Sequence, residues 1–436
     1  MKLFSEELVR EACSACRVVN LSKASIGEAL SVAQYLKDKT GIPFVRMDLG
    51  APGIPANNYG VEAEKAALDR GVANAYPPAA GIPQLKEAGS RFIKSFIDID
   101  ISPRSCVPTT GSVQGSFGTF AACCGRIPGK DKVLFIDPGF PIQKSQLKVL
   151  GLGWRAFDIY HYRGARRLEA KLREMLAPGD IAAIVYANPD NPAWFCLEEE
   201  ELKVIGELAT EYDAIVTEDL AYFGMDFRKD LGHPGVPPFL PTAARYTDNY
   251  ILFLSASKIF SYAGQRMALT CISDSLFDRH YPALAERYGD SGFFGNTLIN
   301  SIFFMMTGGN TSSAQYAYAH MLNLSCDGVI DFVSDTREYE RRAARVRDIF
   351  CRNGFHIVYD MDVTAPIGNG FYFSLGYGNM TSGELVSELM HYGISCISLE
   401  TTGSEQQGVR GCVSLIGPDV YPLLEERAAM FHADHS

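Results

Sequence analysis

At 436 residues the chain has room for two domains and a large core, and its 47% hydrophobic and 21% charged residues are those of a globular protein. A formal net charge of −11 argues against nucleic acid and against an anionic membrane surface as a partner. Eleven cysteines without a paired framework fit a reducing compartment. No uncharged apolar run reaches the roughly 18 residues of a membrane span, and the first seven residues lack a signal-peptide core, so the expectation is a soluble cytoplasmic protein. Cys13-x-x-Cys16 has no second pair at zinc spacing and the eight histidines show no metal spacing, so no metal site is expected.

Residues 1–40 read as helical, with Leu30, Val32, Ala33, Tyr35 and Leu36 apolar among polar neighbours. Gly41-Ile42-Pro43 breaks that pattern, an extended run covers 44–49, and the turn-rich Gly50-Ala51-Pro52-Gly53 follows. Helices are predicted over 61–70 and 84–96, separated by turn-rich 76–83. From about 105 onward, apolar strand-length runs at 133–136, 181–187, 214–217, 251–254 and 268–272 alternate with helical segments near 112–122, 142–150, 167–176 and 198–211. That alternation predicts an α/β fold with a largely parallel sheet between two helical layers. A charged helix over 330–353, strands at 371–375, 394–399 and 412–416, a helix near 382–392 and a last helix from about 420 predict a smaller α/β domain. The expected division is 61–330 for the large domain, with 1–60 and 331–436 forming the small one.

Parallel sheets bind ligands beyond the carboxyl ends of their strands, and those ends carry chemistry here. Thr109-Thr110-Gly111-Ser112 opens a helix, where free amides and the helix dipole attract an anion. It is neither a Walker loop nor a dinucleotide fingerprint. The strand ending at Ile136 leads into Asp137-Pro138-Gly139-Phe140, an aromatic that fits a core or lid position or a stack on a planar ring. Asn188-Pro189-Asp190-Asn191-Pro192 offers an amide. Glu218-Asp219-Leu220-Ala221-Tyr222 offers a carboxylate, costly at a buried strand end unless it meets a cation, with a phenol three residues on. Ser255-Ala256-Ser257-Lys258 followed by Gly264-Gln265-Arg266 brings hydroxyls, an amine and a guanidinium to one place. A phosphate cradle, a ring stacker, an amide, a carboxylate and a lysine together call for pyridoxal phosphate.

In this order the motifs resemble the class I/II aminotransferases, the fold type I pyridoxal-phosphate enzymes, over nearly the whole chain. The resemblance implies that Lys258 forms the Schiff base and that Asp219 meets the pyridine nitrogen. It implies that Ser255, Arg266, Thr110, Gly111 and Ser112 hold the phosphate, that Phe140 stacks on the ring, and that Asn191 and Tyr222 bond the ring hydroxyl oxygen. Tyr76 would reach the phosphate of a neighbouring subunit, which implies a homodimer. Gly50 resembles the glycine beside the substrate, and Arg410 the arginine that grips its α-carboxylate. The implied reaction is ping-pong transamination between an L-amino acid and a 2-oxo acid. The alternative is a C–S lyase on the same cofactor, and no residue assigned to the cofactor separates the two. One position departs from the family's Asn-Pro-Thr-Gly: Trp194 stands in place of the glycine. An indole lacks glycine's backbone freedom, which predicts a different loop there.

Overall fold

The computed structural model describes residues 2–436. β1 (Val45–Arg46) is a short strand of the N-terminal segment. The central sheet is built from β2 (Cys106–Thr110), β3 (Lys132–Asp137), β4 (Gly153–Asp158), β5 (Ile181–Ala187), β6 (Ile215–Asp219), β7 (Tyr250–Ser255) and β8 (Met267–Ile272). Its spatial order is β2-β8-β7-β6-β5-β3-β4. β8 runs antiparallel to both neighbours, and every other pairing is parallel. Only residues 256–266 join β7 to β8, too few for the crossover that a parallel neighbour needs.

Apart from β4, whose exposure alternates, the strands are buried on both faces, which is why most of them read as continuous apolar runs. Alternate residues split between two cores. Leu134, Ile184, Val216 and Leu252 face the helices Pro83–Ile97, Ala165–Leu176, Glu199–Glu211 and Ser312–Cys326. Val133, Val185, Ile215 and Phe253 face the helices Gly111–Gly125 and Pro141–Leu150. The expected three-layer α/β arrangement is therefore present.

The smaller α/β unit holds β9 (Phe355–Ile357), β10 (Tyr372–Tyr377), β11 (Ile394–Ser395), β12 (Ile397–Ser398) and β13 (Val409–Cys412). β12-β13-β10-β9 form an antiparallel sheet, and β1 pairs in parallel with β11. A separate core gathers Val32 and Leu36 from the N-terminal part with Val346, Phe350, Leu385 and Phe431 from the C-terminal part. Asp158, the last residue of β4, ties this unit to the large sheet. Its Oδ2 accepts from Tyr359 Oη at 2.7 Å and from the Glu405 amide at 2.8 Å.

Several sequence-based expectations need correction. The predicted helix over 330–353 is two, Phe332–Thr336 and Glu338–Arg352, and the run 394–399 is two short strands in different sheets. The last strand ends at Cys412 instead of starting there. The first 40 residues form helices Glu6–Ala15 and Ile26–Thr40 with a 3-10 turn between them. β2 and β4 lay outside the strands expected from the sequence, since proline and hydroxyls in one, and a glycine with alternating exposure in the other, hide them.

Candidate active site

The carboxyl ends of β2, β3, β5, β6 and β7 lie along one edge of the sheet, and a cavity of about 510 Å³ opens there under the smaller unit. Lys258 projects into it from the short helix Ala256–Ile259 that follows β7. Ser255 caps that helix, its Oγ accepting from the Ser257 amide at 3.2 Å. Lys258 Nζ donates to the Gly50 carbonyl oxygen and sits 5.3 Å from the centre of the Phe371 ring. Enclosure of the amine, with the charges of Arg266 and Arg410 adding to it, holds the ammonium down at about 8 from its ordinary 10.5.

Asp219 ends β6 and is buried. Its one hydrogen bond is from the Ala221 amide to Oδ1 at 3.1 Å, and among the described residues no cation is paired with it. Burial pushes the carboxyl up to about 6, against the pull of that amide and of Lys258. Tyr222 Oη donates to Tyr372 Oη at 2.7 Å, and burial raises the phenol well above its ordinary range. Arg410, on β13, is 1% exposed. Its Nη1 donates to Asn191 Oδ1 at 3.3 Å and its Nη2 to the Asp48 carbonyl, while its guanidinium carbon lies 4.9 Å from the centre of the Tyr372 ring. The Asp48 carboxylate is already taken by Arg46, with Nη2 to Oδ2 at 2.6 Å. Among the described residues Arg410 therefore has no carboxylate partner, and its Nε has none of any kind.

Ser112, Phe140, Asn191, Ser255 and Arg266 also line the cavity. Gly111 begins its helix at φ +67°, a left-handed backbone that suits glycine, and a Cβ there would lie 2.5 Å from Arg266 Nη2. Gly50 is equally constrained, because a Cβ on it would run into the Tyr372 hydroxyl. Three expected residues, Gly111, Thr110 and Tyr76, lie off the cavity wall. Thr110 Oγ1 donates to Asn310 Oδ1 at 2.9 Å, and Tyr76 is 96% exposed on the surface. Tyr372, not foreseen from sequence, closes the site by bridging Tyr222, Arg410 and Gly50.

Trp194 corrects an expectation. It adopts φ +68°, a left-handed backbone that favours glycine, and its indole is 1% exposed. The indole packs edge-on against Tyr222 at 5.4 Å and Tyr372 at 6.2 Å between ring centres. A left-handed non-glycine residue costs about 1–2 kcal/mol, and burial of an indole offsets that.

Comparisons with known proteins agree with this geometry. An aspartate aminotransferase of Pyrococcus horikoshii is 28% identical over 251 residues, 58% of this chain and 60% of its own length. A valine–pyruvate aminotransferase of Mycobacterium tuberculosis is 27% identical over 194 residues, 44% of this chain and 46% of that one. The chain thus aligns with about 60% of the length of the first of these relatives. In fold it is similar to an alanine aminotransferase structure from Pyrococcus furiosus, with a TM-score of 0.76 at 18% identity over 94% of this chain and 97% of the other. The family model for aminotransferase class I and II matches residues 55–415, a span that takes in the cavity from Ser112 through Lys258 to Arg410, and the chain belongs to that family.

Proposed function

We propose that this protein is a pyridoxal-phosphate-dependent aminotransferase that moves an amino group between an L-amino acid and a 2-oxo acid in a ping-pong cycle. One observation carries the reading: a single cavity holds three groups, each short of its counterpart. Among the described residues Asp219 is a buried carboxylate without a paired cation, Arg410 a buried guanidinium without a carboxylate, and Lys258 an amine weakened to about 8. A protonated ring nitrogen, a substrate α-carboxylate and an aldehyde are the missing partners.

When bound, pyridoxal phosphate supplies an aldehyde carbon for an amine and a ring that draws electrons from the bond to be broken. Lys258 would hold it covalently through Nζ. Ser255, Ser112, Arg266 and the Gly111 helix N-terminus would take the phosphate, with Thr110 fixing the strand end against Asn310. Phe140 would cover the ring, and Asn191 and Tyr222 would meet its hydroxyl oxygen. With the cofactor bound, Lys258 Nζ would be the base for the substrate Cα proton. At neutral pH a fraction of it is already unprotonated. Arg410 and Asn191, with Gly50 alongside, orient the substrate carboxylate so that this C–H bond faces Nζ.

The cofactor residues and Asn191 belong to 61–330, and Gly50 and Arg410 of the carboxylate grip to 1–60 and 331–436, the domain division proposed here. We propose a homodimer in which Tyr76 reaches the neighbouring site; Tyr76 at 96% and Met305 at 70% exposure support a covered face. A cytoplasmic location is proposed on eleven free cysteines. Among the described residues no helix is long and apolar enough to cross a membrane.

Absorbance spectra of protein loaded with pyridoxal phosphate, before and after single amino acids without acceptor, test the reading. A visible band that moves to the near ultraviolet with a donor is expected, and Lys258→Ala should abolish turnover. No visible band after cofactor addition would refute it, and pyruvate with ammonia from an unshifted band would mean elimination.

A further inference from the structure

We infer that Tyr372 is a further substrate-contacting residue, its hydroxyl donating to the α-carboxylate that Arg410 grips; the inference rests on the aminotransferase reading above. Strand pairing sets the two side by side. β10 runs antiparallel to β13, with Ser374 opposite Arg410 and Tyr372 opposite Cys412. Side chains two residues apart on a strand share a face, so Tyr372 and Arg410 are diagonal neighbours on one side of this sheet. The guanidinium carbon lies 4.9 Å from the centre of the phenol ring, and both side chains line the cavity. The phenol also lies beside the reacting amine. A Cβ on Gly50 would run into its hydroxyl, and the Gly50 carbonyl accepts from Lys258 Nζ.

The hydroxyl has a proton to spare. Its oxygen accepts from Tyr222 Oη at 2.7 Å, and among the described residues that is its one hydrogen bond. The Tyr372 proton therefore has no acceptor there, although the residue is buried. Asn191 is in the same position: its Oδ1 accepts from Arg410 Nη1 at 3.3 Å, and its own amide hydrogens have no acceptor among the described residues. A guanidinium, an amide and a phenol thus meet at Arg410 with donors to spare, and a carboxylate supplies the acceptors. Burial raises the Tyr372 phenol above its ordinary range and the Arg410 charge pulls the other way, which makes the hydroxyl a better donor to an anion held by that arginine. The competing acceptor is the cofactor's ring oxygen. Tyr222 follows the strand end that carries Asp219, whereas Tyr372 comes from the strand pair that carries Arg410. One phenol therefore goes with the cofactor and the other with the substrate. Tyr222, Tyr372, Arg410 and Asn191 are all buried within one chain, so the contact does not depend on what a second subunit adds.

Tyr372→Phe keeps the ring over Arg410 and removes only the oxygen. Calorimetric titration of protein loaded with pyridoxal phosphate uses three unreactive acids, succinate, 4-methylpentanoate and 3-phenylpropionate, which stand in for acidic, aliphatic and aromatic amino acids. The acid that binds the parent most tightly should bind the variant about tenfold or more weakly, the usual worth of a hydrogen bond to a charged group. The matching amino acid should show a raised KM with kcat within about twofold, because the carboxylate is held alike before and during the reaction. The visible band of the bound cofactor should keep the parent's pH midpoint. Gly50→Ala is the second variant: its Cβ would push the Tyr372 hydroxyl aside, so a comparable loss of acid affinity is expected. Acid affinity within about twofold of the parent in either variant overturns the inference, as does a parent that binds none of the three acids. A shifted pH midpoint with unchanged acid affinity also overturns it and assigns the hydroxyl to the ring oxygen. A parent with no visible band after cofactor addition would instead sink the aminotransferase reading, and this inference with it.

Discussion

Replacing Asp219 by asparagine should make the cofactor-free protein more stable while disabling it. The carboxyl is buried, and its one hydrogen bond comes from the Ala221 amide at 3.1 Å. Burial raises it to about 6 from an ordinary 3.8. At 1.36 kcal/mol per unit, that rise corresponds to about 3 kcal/mol. The native value lies above the unfolded one, so the ionised form is the one the fold disfavours. The penalty is absent below about pH 4, grows between pH 4 and 6, and is complete above pH 6. Asparagine keeps an oxygen to accept from Ala221 and carries no charge. Urea unfolding of cofactor-free protein at pH 8 should therefore show Asp219→Asn ahead by up to about 3 kcal/mol, with the gap closing at pH 4. With pyridoxal phosphate added, the proposed ring nitrogen favours the carboxylate, so the parent should gain more stability from the cofactor than the variant. A variant that is less stable at pH 8 without cofactor, or a gap that does not change with pH, would refute the argument.

Lys258 should be modified by pyridoxal and cyanoborohydride with a midpoint near pH 8, because its ammonium is held down to about 8 and the reactive free amine appears as pH rises through that value. Peptide mass mapping of the cofactor-free protein reads this, and a midpoint near the ordinary 10.5 would refute it. Trp194→Gly should lose stability even though glycine suits its φ of +68°. Emptying a buried indole site costs about 3–5 kcal/mol, and relief of the left-handed backbone returns about 1–2 kcal/mol. Thermal unfolding at or above the parental temperature would contradict that balance.

The strand ends were legible because buried parallel strands announce themselves as short apolar runs, and a lysine, carboxylate or amide after such a run stands out. β6 with Asp219 and β7 with Lys258 are the clearest cases. The sense of β8 was not legible from its composition, since a fully buried strand reads the same in either direction. The short 256–266 connection held that information. Tyr372 escaped notice for another reason. It lies on β10, 150 residues beyond Tyr222 in sequence, inside a run of aromatics that all look like core. Only the packing of the smaller unit over the sheet brings its hydroxyl to the site. The backbone at Trp194 was misjudged because propensity speaks against a left-handed indole, whereas tertiary burial decided in its favour.

The indole at 194 also sets a condition on a distant position. A Cβ on Gly370 would run into the Trp194 ring, so any side chain at 370 and the indole at 194 exclude one another. The two form a linked pair far apart in sequence, and a change at one bears on the other.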